Sequence, residues 1–182
     1  DEALITLTTG TTGLPKGANR THGLLWNQFR IIGNHLNMQL DDVDLTALPI
    51  FVFNNLGLGI TSVLPIFDAA KPTVFDEDKI IHQIFDCKIT TSIGSPAFFE
   101  KIADHVLAGK SKHNSISIRK IFTGGAPVFK PLAKKLRKAF GDTEIEVVYG
   151  CTEAEPISGT PLESIIKNIA GTGLPVGPPV PQ

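Results

Sequence analysis

A short glycine- and threonine-rich segment with one lysine carries the clearest chemistry in the sequence. Residues 8–18 read TTGTTGLPKGA and follow an apolar, β-prone segment at residues 3–7. Glycines let the backbone approach a ligand closely, and successive backbone N–H groups in such a loop can bind phosphate oxygens. The threonine hydroxyls add donors, and the lysine adds a positive charge. A surface turn uses the same residue types, but this density of hydroxyls, glycines and charge favours a polyanion.

The spacing of this segment disfavours two common phosphate-binding motifs. A P-loop requires G-x-x-x-x-G-K-[ST], whereas here Pro15 stands five residues after Gly10, and Lys16 is followed by Gly17. A dinucleotide-binding fingerprint requires G-x-G-x-x-G, which the segment lacks. P-loop NTPases and Rossmann dehydrogenases are therefore poor interpretations.

A second group of reactive side chains follows a predicted strand, at residues 149–153, YGCTE. Tyr149 is the only tyrosine of the chain, and its ring could stack on a purine. Thr152 offers a hydroxyl to a phosphate, and Glu153 is a hard oxygen ligand of the kind that Mg²⁺ takes together with phosphate oxygens. Taken alone, the segment fits a tight turn with a solvated glutamate equally well.

The first segment closely resembles the phosphate loop of the adenylate-forming enzymes, [YF]-T-[SG]-G-[ST]-T-G-x-P-K-G. That superfamily comprises acyl-CoA synthetases, peptide-synthetase adenylation domains and firefly luciferase. Leu7 stands for the usual aromatic residue and Thr9 for the usual serine. Residues 149–153 resemble the Y-G-x-T-E motif of the same superfamily. Residues 123–127, TGGAP, resemble its S-G-G-A-P segment, and residues 176–179, VGPP, its later V-G-x-P segment, although a proline-rich linker explains VGPP equally well.

The resemblance implies an AMP-forming acid ligase that uses ATP and Mg²⁺. A carboxylate attacks the α-phosphorus of ATP, which gives an acyl-adenylate and pyrophosphate. Three residues then have catalytic roles: Lys16 neutralises phosphate charge, Thr152 contacts the α-phosphate and Glu153 binds Mg²⁺. Tyr149 stacks on adenine. The remaining nucleotide-binding residues that the resemblance implies are Thr8, Thr9, Gly10, Thr11, Thr12, Gly13, Gly124, Gly125, Ala126 and Gly150.

The resemblance also implies what the chain lacks. Family members carry a later ribose-binding aspartate, a hinge and a small C-terminal domain with a catalytic lysine, none of which is found in these 182 residues. Residues 1–182 are therefore predicted to be part of the N-terminal nucleotide- and acyl-binding domain, with the C-terminal domain absent. The alternative is a nucleotide-binding fragment without turnover.

One substitution bears on the acid that is activated. Many acyl-CoA synthetases carry L-P-x-F-H, where the histidine helps to form the acyl site, whereas residues 48–52 read LPIFV with Val52 at that position. Together with residues 56–65, 94–97 and 125–128, this segment resembles the β-lactone synthetases of bacterial olefin biosynthesis, which act on long-chain β-hydroxy acids without CoA. A fatty acyl substrate is expected in either case, with CoA as co-substrate only in the synthetase. Candidates for an apolar pocket are Phe51, Phe53, Phe98 and Phe99, although core packing explains each of them equally well.

Composition excludes several other classes of protein. The net charge is −1, so nothing indicates binding to nucleic acid or to an anionic membrane. No apolar run approaches the roughly 20 residues of a transmembrane helix, and the first residues do not resemble a signal peptide. The two cysteines, Cys87 and Cys151, are far apart, and the five histidines show no metal-binding spacing. A cytoplasmic location is expected.

Alternating strand and helix patterns must position these motifs. Apolar residues at helical spacing predict helices over residues 20–38, 55–67, 78–85, 95–106 and 130–140. Short β-prone segments predict strands at residues 3–7, 45–48, 73–75, 89–93, 119–122 and 146–148. Such alternation predicts an α/β fold, a layered and largely parallel sheet flanked by helices. Ligands of such sheets bind beyond the carboxyl ends of the strands, where all three polar turns, 8–17, 123–127 and 149–153, are expected.

Overall fold

The computed structural model describes residues 1–8, 16–67, 74–110, 118–168 and 173–181. Within these ranges, the chain forms eight strands and six helices. The strands are β1 Glu2–Thr8, β2 Lys16–Thr21, β3 Val43–Thr46, β4 Thr61–Val63, β5 Thr91–Gly94, β6 Lys120–Gly124, β7 Glu144–Cys151 and β8 Ala154–Pro161. The helices are α1 His22–Leu36, α2 Phe51–Leu58, α3 Glu77–Asp86, α4 Pro96–Leu107, α5 Lys130–Phe140 and α6 Leu162–Lys167.

Six of these strands form one largely parallel sheet, in the order β4-β3-β5-β6-β7-β8. All neighbours are parallel except β7 and β8, which form an antiparallel hairpin. The predicted α/β fold is thereby confirmed. Strands β1 and β2 stand apart from it as a second, two-stranded antiparallel sheet.

Helix starts follow from polar residues that cap the first turn. Thr21 accepts a hydrogen bond from the Leu24 N–H at 3.2 Å, and Ser95 accepts one from the Phe98 N–H at 3.2 Å, with Pro96 in the first helical turn. Side chains of this type satisfy N–H groups that a helix start leaves unpaired. Asp76 caps α3 in the same way, so this helix is capped two residues before the predicted Asp78. No helix in the described part of the chain has both the length and the apolar character needed to span a bilayer.

Two predicted elements are wrong. The predicted helix over residues 55–67 begins earlier, at Phe51, and ends at Leu58, because Gly59 adopts a left-handed conformation with φ of 74°. Residues 61–63 then form β4 at the sheet edge, parallel to β3. The predicted strand at residues 73–75 does not form at Val74 and Phe75, and residue 73 lies outside the described residues.

The two faces of the six-stranded sheet are packed differently. We call the face covered by α3–α6 the closed face, and the face against α1 and α2 the open face. The closed face buries a large apolar core that includes Leu45, Ile121 and Ile145 from the sheet. The open face buries a small apolar cluster of Ile32, Leu36, Phe51, Ile93 and Phe122. Phe98 and Phe99 belong to the closed-face core, so their assignment to an apolar pocket is wrong.

Candidate functional site

The glycine- and threonine-rich segment connects the two strands of the separate hairpin. Thr8, at the end of β1, lies opposite Lys16, at the start of β2, and Lys16 is exposed. The hairpin therefore holds the two ends of the segment together. Its predicted ligand-binding residues Thr9, Gly10, Thr11, Thr12 and Gly13 lie outside the described residues. We expected the segment to follow a strand of the large parallel sheet, but it follows β1, which pairs with β2 in the separate two-stranded sheet.

Residues 149–153 form the end of β7 and the turn into β8. Tyr149, Gly150 and Cys151 lie in β7, whereas Thr152 and Glu153 form a two-residue turn. The ring of Tyr149 is half-exposed, and Glu153 is exposed. No group of three or more metal-ligating side chains occurs among the described residues. A Mg²⁺ ion at Glu153 would take its other ligands from phosphate oxygens and water, which is how Mg²⁺ commonly binds.

Arg20 connects the hairpin to this turn. Its Nη2 donates to the Thr152 carbonyl oxygen at 2.5 Å, and its Nη1 donates to Gln28 Oε1 at 3.0 Å. Only 5% of the residue is exposed, so these hydrogen bonds are shielded from water. Hydrogen bonds of charged donors contribute about 1.5–3 kcal/mol each. The arginine therefore fixes the strand that begins with Lys16 relative to Thr152, a role that no local sequence pattern indicates.

The TGGAP segment requires its glycines for two different reasons. A Cβ at Gly124 would lie 2.6 Å from the Val148 carbonyl oxygen of the neighbouring strand, so no larger residue fits there without movement of the backbone. Gly125 has φ of 81°, with nothing within 4 Å of the Cβ position. This glycine therefore turns the chain away from β6 and leaves open space beside it. Ala126 is exposed at the same edge.

This open space is a cavity of about 370 Å³, which we call the tyrosine cavity. It lies towards the small end of the range of small-molecule sites, about 300–1,000 Å³. Its lining combines the TGGAP segment, the end of β7 and residues 174–176. The predicted nucleotide-binding residues among them are Gly125, Ala126, Tyr149 and Gly150.

The segment around VGPP closes one side of the tyrosine cavity. Val180 N–H donates to the Ile157 carbonyl oxygen at 2.9 Å, and Pro179 forms an isolated β-bridge with Ser158. Gly177 has φ of 81°, and a Cβ there would lie 1.8 Å from the Gly159 carbonyl oxygen. The segment thus packs tightly against β8, which places Leu174, Pro175 and Val176 at the cavity.

Two further cavities continue from the first along the open face. The inner cavity, about 220 Å³, shares Gly125, Val148 and Gly150 with the tyrosine cavity. The outer cavity, about 330 Å³, shares Ile32, Ile50, Phe51 and Glu155 with the inner one. The rest of the inner lining includes Leu36, Leu48, Ile93, Phe122 and Gly124. The outer lining includes Leu25, Phe29 and Phe53. Of the four phenylalanines predicted for an apolar pocket, Phe51 and Phe53 line these cavities.

An acidic and a basic residue stand in the otherwise mainly apolar lining of the inner and outer cavities. Glu155 lines both, and Arg20 lines the outer one. Burial raises the pKa of the Glu155 carboxyl, and this effect outweighs the Arg20 charge, which lowers it. Neither residue was singled out from the sequence. Glu155 follows the YGCTE motif by two positions, and its proximity to Glu153 was the one available signal.

Comparison with known proteins gives a match over the whole chain. The family model described as "AMP-binding enzyme" matches residues 1–182. An olefin beta-lactone synthetase of Xanthomonas campestris is 32% identical over 182 residues, which covers 97% of this chain and 32% of that protein. The acyl-CoA ligase sidI of Aspergillus fumigatus is 34% identical over 161 residues, which covers 86% of this chain and 26% of that protein. The chain therefore spans about a third or less of the length of these relatives.

Solved structures have the same fold. The o-succinylbenzoate coenzyme A synthetase of Bacillus subtilis in complex with AMP has a TM-score of 0.76 at 24% identity, over 99% of this chain and 35% of that one. The same enzyme in complex with ATP and a magnesium ion has a TM-score of 0.73 at 24% identity, over 97% of this chain and 35% of that one. At this identity, the likeness shows a shared fold.

Proposed function

The chain belongs to the AMP-binding enzyme family, and from this premise we propose that it forms part of the N-terminal nucleotide- and acyl-binding domain of a longer enzyme. That enzyme activates a carboxylic acid with ATP and releases pyrophosphate, in the manner of an acyl-CoA synthetase. An isolated chain of residues 1–182 is expected to bind nucleotide but to turn over little or none, since its relatives are about three times as long.

The continuous row of three cavities carries this proposal. The tyrosine cavity has a half-exposed aromatic ring and open backbone, which suits a purine. The inner and outer cavities are lined mainly by apolar side chains, which suits an acyl chain. Gly125 and Gly150 lie where the first two cavities join. An acyl group in the inner cavity would therefore meet a nucleotide phosphate at these glycines.

Catalysis at such a junction depends on the placement of charge. The acid's carboxylate attacks the α-phosphorus, the bond from the α-phosphorus to the pyrophosphate oxygen breaks, and pyrophosphate leaves. We assign neutralisation of the phosphates to Lys16 and to the N–H groups of residues 8–13, and contact with the α-phosphate to Thr152. Bound Mg²⁺, held by Glu153, would supply charge neutralisation at the phosphates. Positive charges and donors fixed in advance lower the barrier because they need no reorganisation during the reaction.

The finer features of the reaction belong to the same proposal. ATP and Mg²⁺ are the cofactors, and a fatty acid is the substrate because the inner and outer cavities are mainly apolar. CoA is the acyl acceptor when the enzyme is a synthetase, as the names of several relatives indicate for those proteins. The enzyme is expected to act in the cytoplasm and to bind no nucleic acid.

Acid-dependent release of pyrophosphate tests the proposal. The full-length enzyme with ATP, Mg²⁺ and a fatty acid should release pyrophosphate at a rate that depends on the acid concentration. Binding of ATP without release, under every acid tried, would instead favour a nucleotide-binding module without turnover.

A β-lactone synthetase is the second candidate, because two observations favour it. The Xanthomonas olefin beta-lactone synthetase matches 97% of this chain, and Val52 occupies the position of the histidine expected in acyl-CoA synthetases. Product mass spectrometry with a plain or a β-hydroxy fatty acid, each with and without CoA, separates the two. A CoA-dependent thioester supports a synthetase. A CoA-independent product lighter than the hydroxy acid by one water supports lactone formation.

A further inference from the structure

The residues that we assign to the phosphates are divided between two sheets. Lys16 begins β2 of the separate hairpin, whereas Thr152 lies in the turn between β7 and β8 of the six-stranded sheet. In the described ranges, no pairing of strands joins the hairpin to the larger sheet. Contacts between side chains and the backbone must therefore set where Lys16 lies relative to Thr152.

Arg20 provides such a contact. It lies four residues after Lys16 on the same extended strand, and its Nη2 donates to the Thr152 carbonyl oxygen at 2.5 Å. Its Nη1 donates to Oε1 of Gln28, in α1, at 3.0 Å. The guanidinium group is planar and its N–H groups point in fixed directions. The two hydrogen bonds therefore fix the orientation of the hairpin relative to the turn as well as the distance between them.

This arginine is buried where a charge is costly. Only 5% of the residue is exposed, and its Nε–H is buried without a hydrogen-bond partner among the described residues. Glu155 interacts electrostatically with the charge, but both hydrogen bonds of the guanidinium go to neutral oxygens. An apolar side chain of similar volume often packs more favourably than a buried charge. What the arginine adds is a defined geometry at the Thr152 carbonyl.

We propose that Arg20 is a positioning residue, which holds Thr152 where its hydroxyl meets the α-phosphate of the ATP molecule that Lys16 also binds. The inference rests on the proposed function, which assigns Lys16 and Thr152 to the phosphates. Arg20 acts through the Thr152 carbonyl, so the hydroxyl is left for the nucleotide. Groups that are fixed before the reaction lower its barrier, and a displacement of about 1 Å can slow a reaction about 100-fold.

A double-mutant cycle in the full-length enzyme tests the inference. Arg20→Met keeps an unbranched side chain but removes both hydrogen bonds. It should lower kcat for acid-dependent pyrophosphate release by about 10- to 100-fold, the equivalent of one hydrogen bond from a charged donor. Thr152→Val removes the hydroxyl and keeps the carbonyl, so in that background Arg20→Met should lower kcat by about threefold or less. Equal losses in the two backgrounds overturn the inference.

Two further variants separate position from charge and from failure to fold. Arg20→Lys keeps the charge but not the planar fork, so kcat should fall nearly as far as in Arg20→Met, and full activity of the lysine variant overturns the inference. If the Arg20 variants do not fold, Gln28→Leu, which removes one acceptor of the guanidinium, takes their place in the cycle. A smaller loss of kcat in Thr152→Val than in wild type then supports the inference, and no loss or an equal loss overturns it.

Arg137 of α5 is the matched control. Its Nη1 donates to the carbonyl oxygen of Thr143, immediately before β7, at 2.8 Å, much as Arg20 binds the turn after β7. Arg137→Met should lower the urea midpoint of unfolding and leave kcat unchanged, and an equal loss of kcat there overturns the inference.

Binding of ATP distinguishes failure of the inference from failure of the proposed function. If the wild-type enzyme releases no pyrophosphate with any acid, the proposed function fails, and the cycle is measured as calorimetric affinity for ATP with Mg²⁺. A loss of affinity in Arg20→Met that largely disappears in Thr152→Val supports the inference. Equal losses in the two backgrounds overturn it, and an enzyme that binds no ATP overturns both.

Discussion

The two faces of the central sheet differ in how closely they are packed. On the closed face, sheet residues such as Leu45, Ile121 and Ile145 pack against α3–α6 and are fully or almost fully buried. On the open face, the apolar cluster is small, and the inner and outer cavities occupy space between that face, α1, α2 and the start of β8. The same strands therefore contribute alternate residues to a tight core and to a site with room for a ligand.

Polar residues add to the difference in packing between the two faces. The open face carries Asp44, Lys120 and Glu146, where the closed face carries aliphatic side chains at neighbouring positions of the same strands. Glu146 lies 2.8 Å from His35 of α1 and 3.6 Å from Lys120. Buried charges of this kind add little net stability compared with apolar packing. We infer that folding free energy comes mainly from the closed face, which leaves the open face less constrained.

Identical leucine substitutions in the helices that cover the two faces should have the largest difference in effect. Leu136 of α5 is fully buried on the closed face, whereas Leu56 of α2 is 76% exposed. Leu136→Ala should lower the free energy of unfolding by about 2–5 kcal/mol, because it leaves a cavity in a close-packed core. Leu56→Ala should change it by about 0.5 kcal/mol or less. Urea denaturation of residues 1–182 measures both, and equal losses would contradict the division between the faces.

The converse effect is expected at the exposed turn, where a substitution should change the activity but leave the free energy of unfolding unchanged. Glu153→Gln in the full-length enzyme should slow acid-dependent pyrophosphate release by about 10²–10³-fold, because it removes a charge that holds Mg²⁺ at the phosphates. The side chain is exposed, so the unfolding midpoint should stay unchanged. Glu144→Gln, at the far end of the preceding strand β7, should keep full activity. A Glu153→Gln enzyme with normal rates at low Mg²⁺ would refute the assignment.

Alanine substitutions at two glycines with the same backbone conformation should separate the cost of backbone strain from the cost of steric conflict. Gly173 and Gly177 have φ of 82° and 81°, but a Cβ at Gly173 meets nothing within 4 Å, whereas one at Gly177 lies 1.8 Å from the Gly159 carbonyl oxygen. Gly173→Ala should cost about 1–2 kcal/mol from left-handed strain alone. Gly177→Ala should in addition displace residues 174–176 from the tyrosine cavity and weaken ATP binding. Titration of ATP by calorimetry compares the two, and equal affinities would show that the segment does not shape the nucleotide site.

Elements with a regular local pattern of apolar residues could be predicted from the sequence. Helix α5 has the predicted bounds because Leu132, Leu136 and Phe140 recur at helical spacing within one solvated, basic segment. The strands β2, β4 and β8 were missed, because pairing with a neighbouring strand, rather than a local pattern, defines them. Residues 16–21, KGANRT, show no alternation of apolar and polar residues and become a strand only by pairing with β1.

The residues of the candidate site also divide into those that local motifs indicate and those that only the fold brings together. Motifs with a fixed local spacing indicated Gly125, Ala126, Tyr149 and Gly150, and these four residues line the tyrosine cavity. The contact between Arg20 and Thr152 joins residues 132 positions apart, and no local pattern indicates it. Asn54 and Glu155 become neighbours of the outer cavity only because α2 and the start of β8 pack on the same face. The lining of the outer cavity therefore depends on long-range packing, which local sequence patterns do not describe.

Asp44 allows the smallest but most specific test of the open face. It is completely buried and accepts hydrogen bonds from Thr46 Oγ1 at 2.5 Å, Asn55 Nδ2 at 3.0 Å and Thr91 Oγ1 at 3.1 Å. Burial raises the pKa of its carboxyl above the ordinary value of 3.8, although these hydrogen bonds lower it. Asp42, nearby on the chain, behaves oppositely. Burial alone would raise its pKa, but hydrogen bonds from Arg119, the Gln39 N–H and Thr90 together lower it.

The sign of each pH effect follows from these directions. A raised pKa means that the folded state holds the Asp44 proton more tightly than the unfolded state, so this group lowers the free energy of unfolding as pH rises from 3.8 to its folded pKa. Relative to wild type, Asp44→Asn should therefore gain stability as pH rises through that window. Asp42 contributes stability that is present above pH 3.8 and is lost as pH falls through its folded pKa. Relative to wild type, Asp42→Asn should therefore lose stability as pH rises towards 3.8, which is opposite in sign to the effect of Asp44→Asn. Urea denaturation between about pH 3 and pH 7 measures both curves. A constant difference between wild type and Asp44→Asn would mean that the open face holds this carboxylate ionised at no cost, and would remove the argument that its polar residues reduce stability.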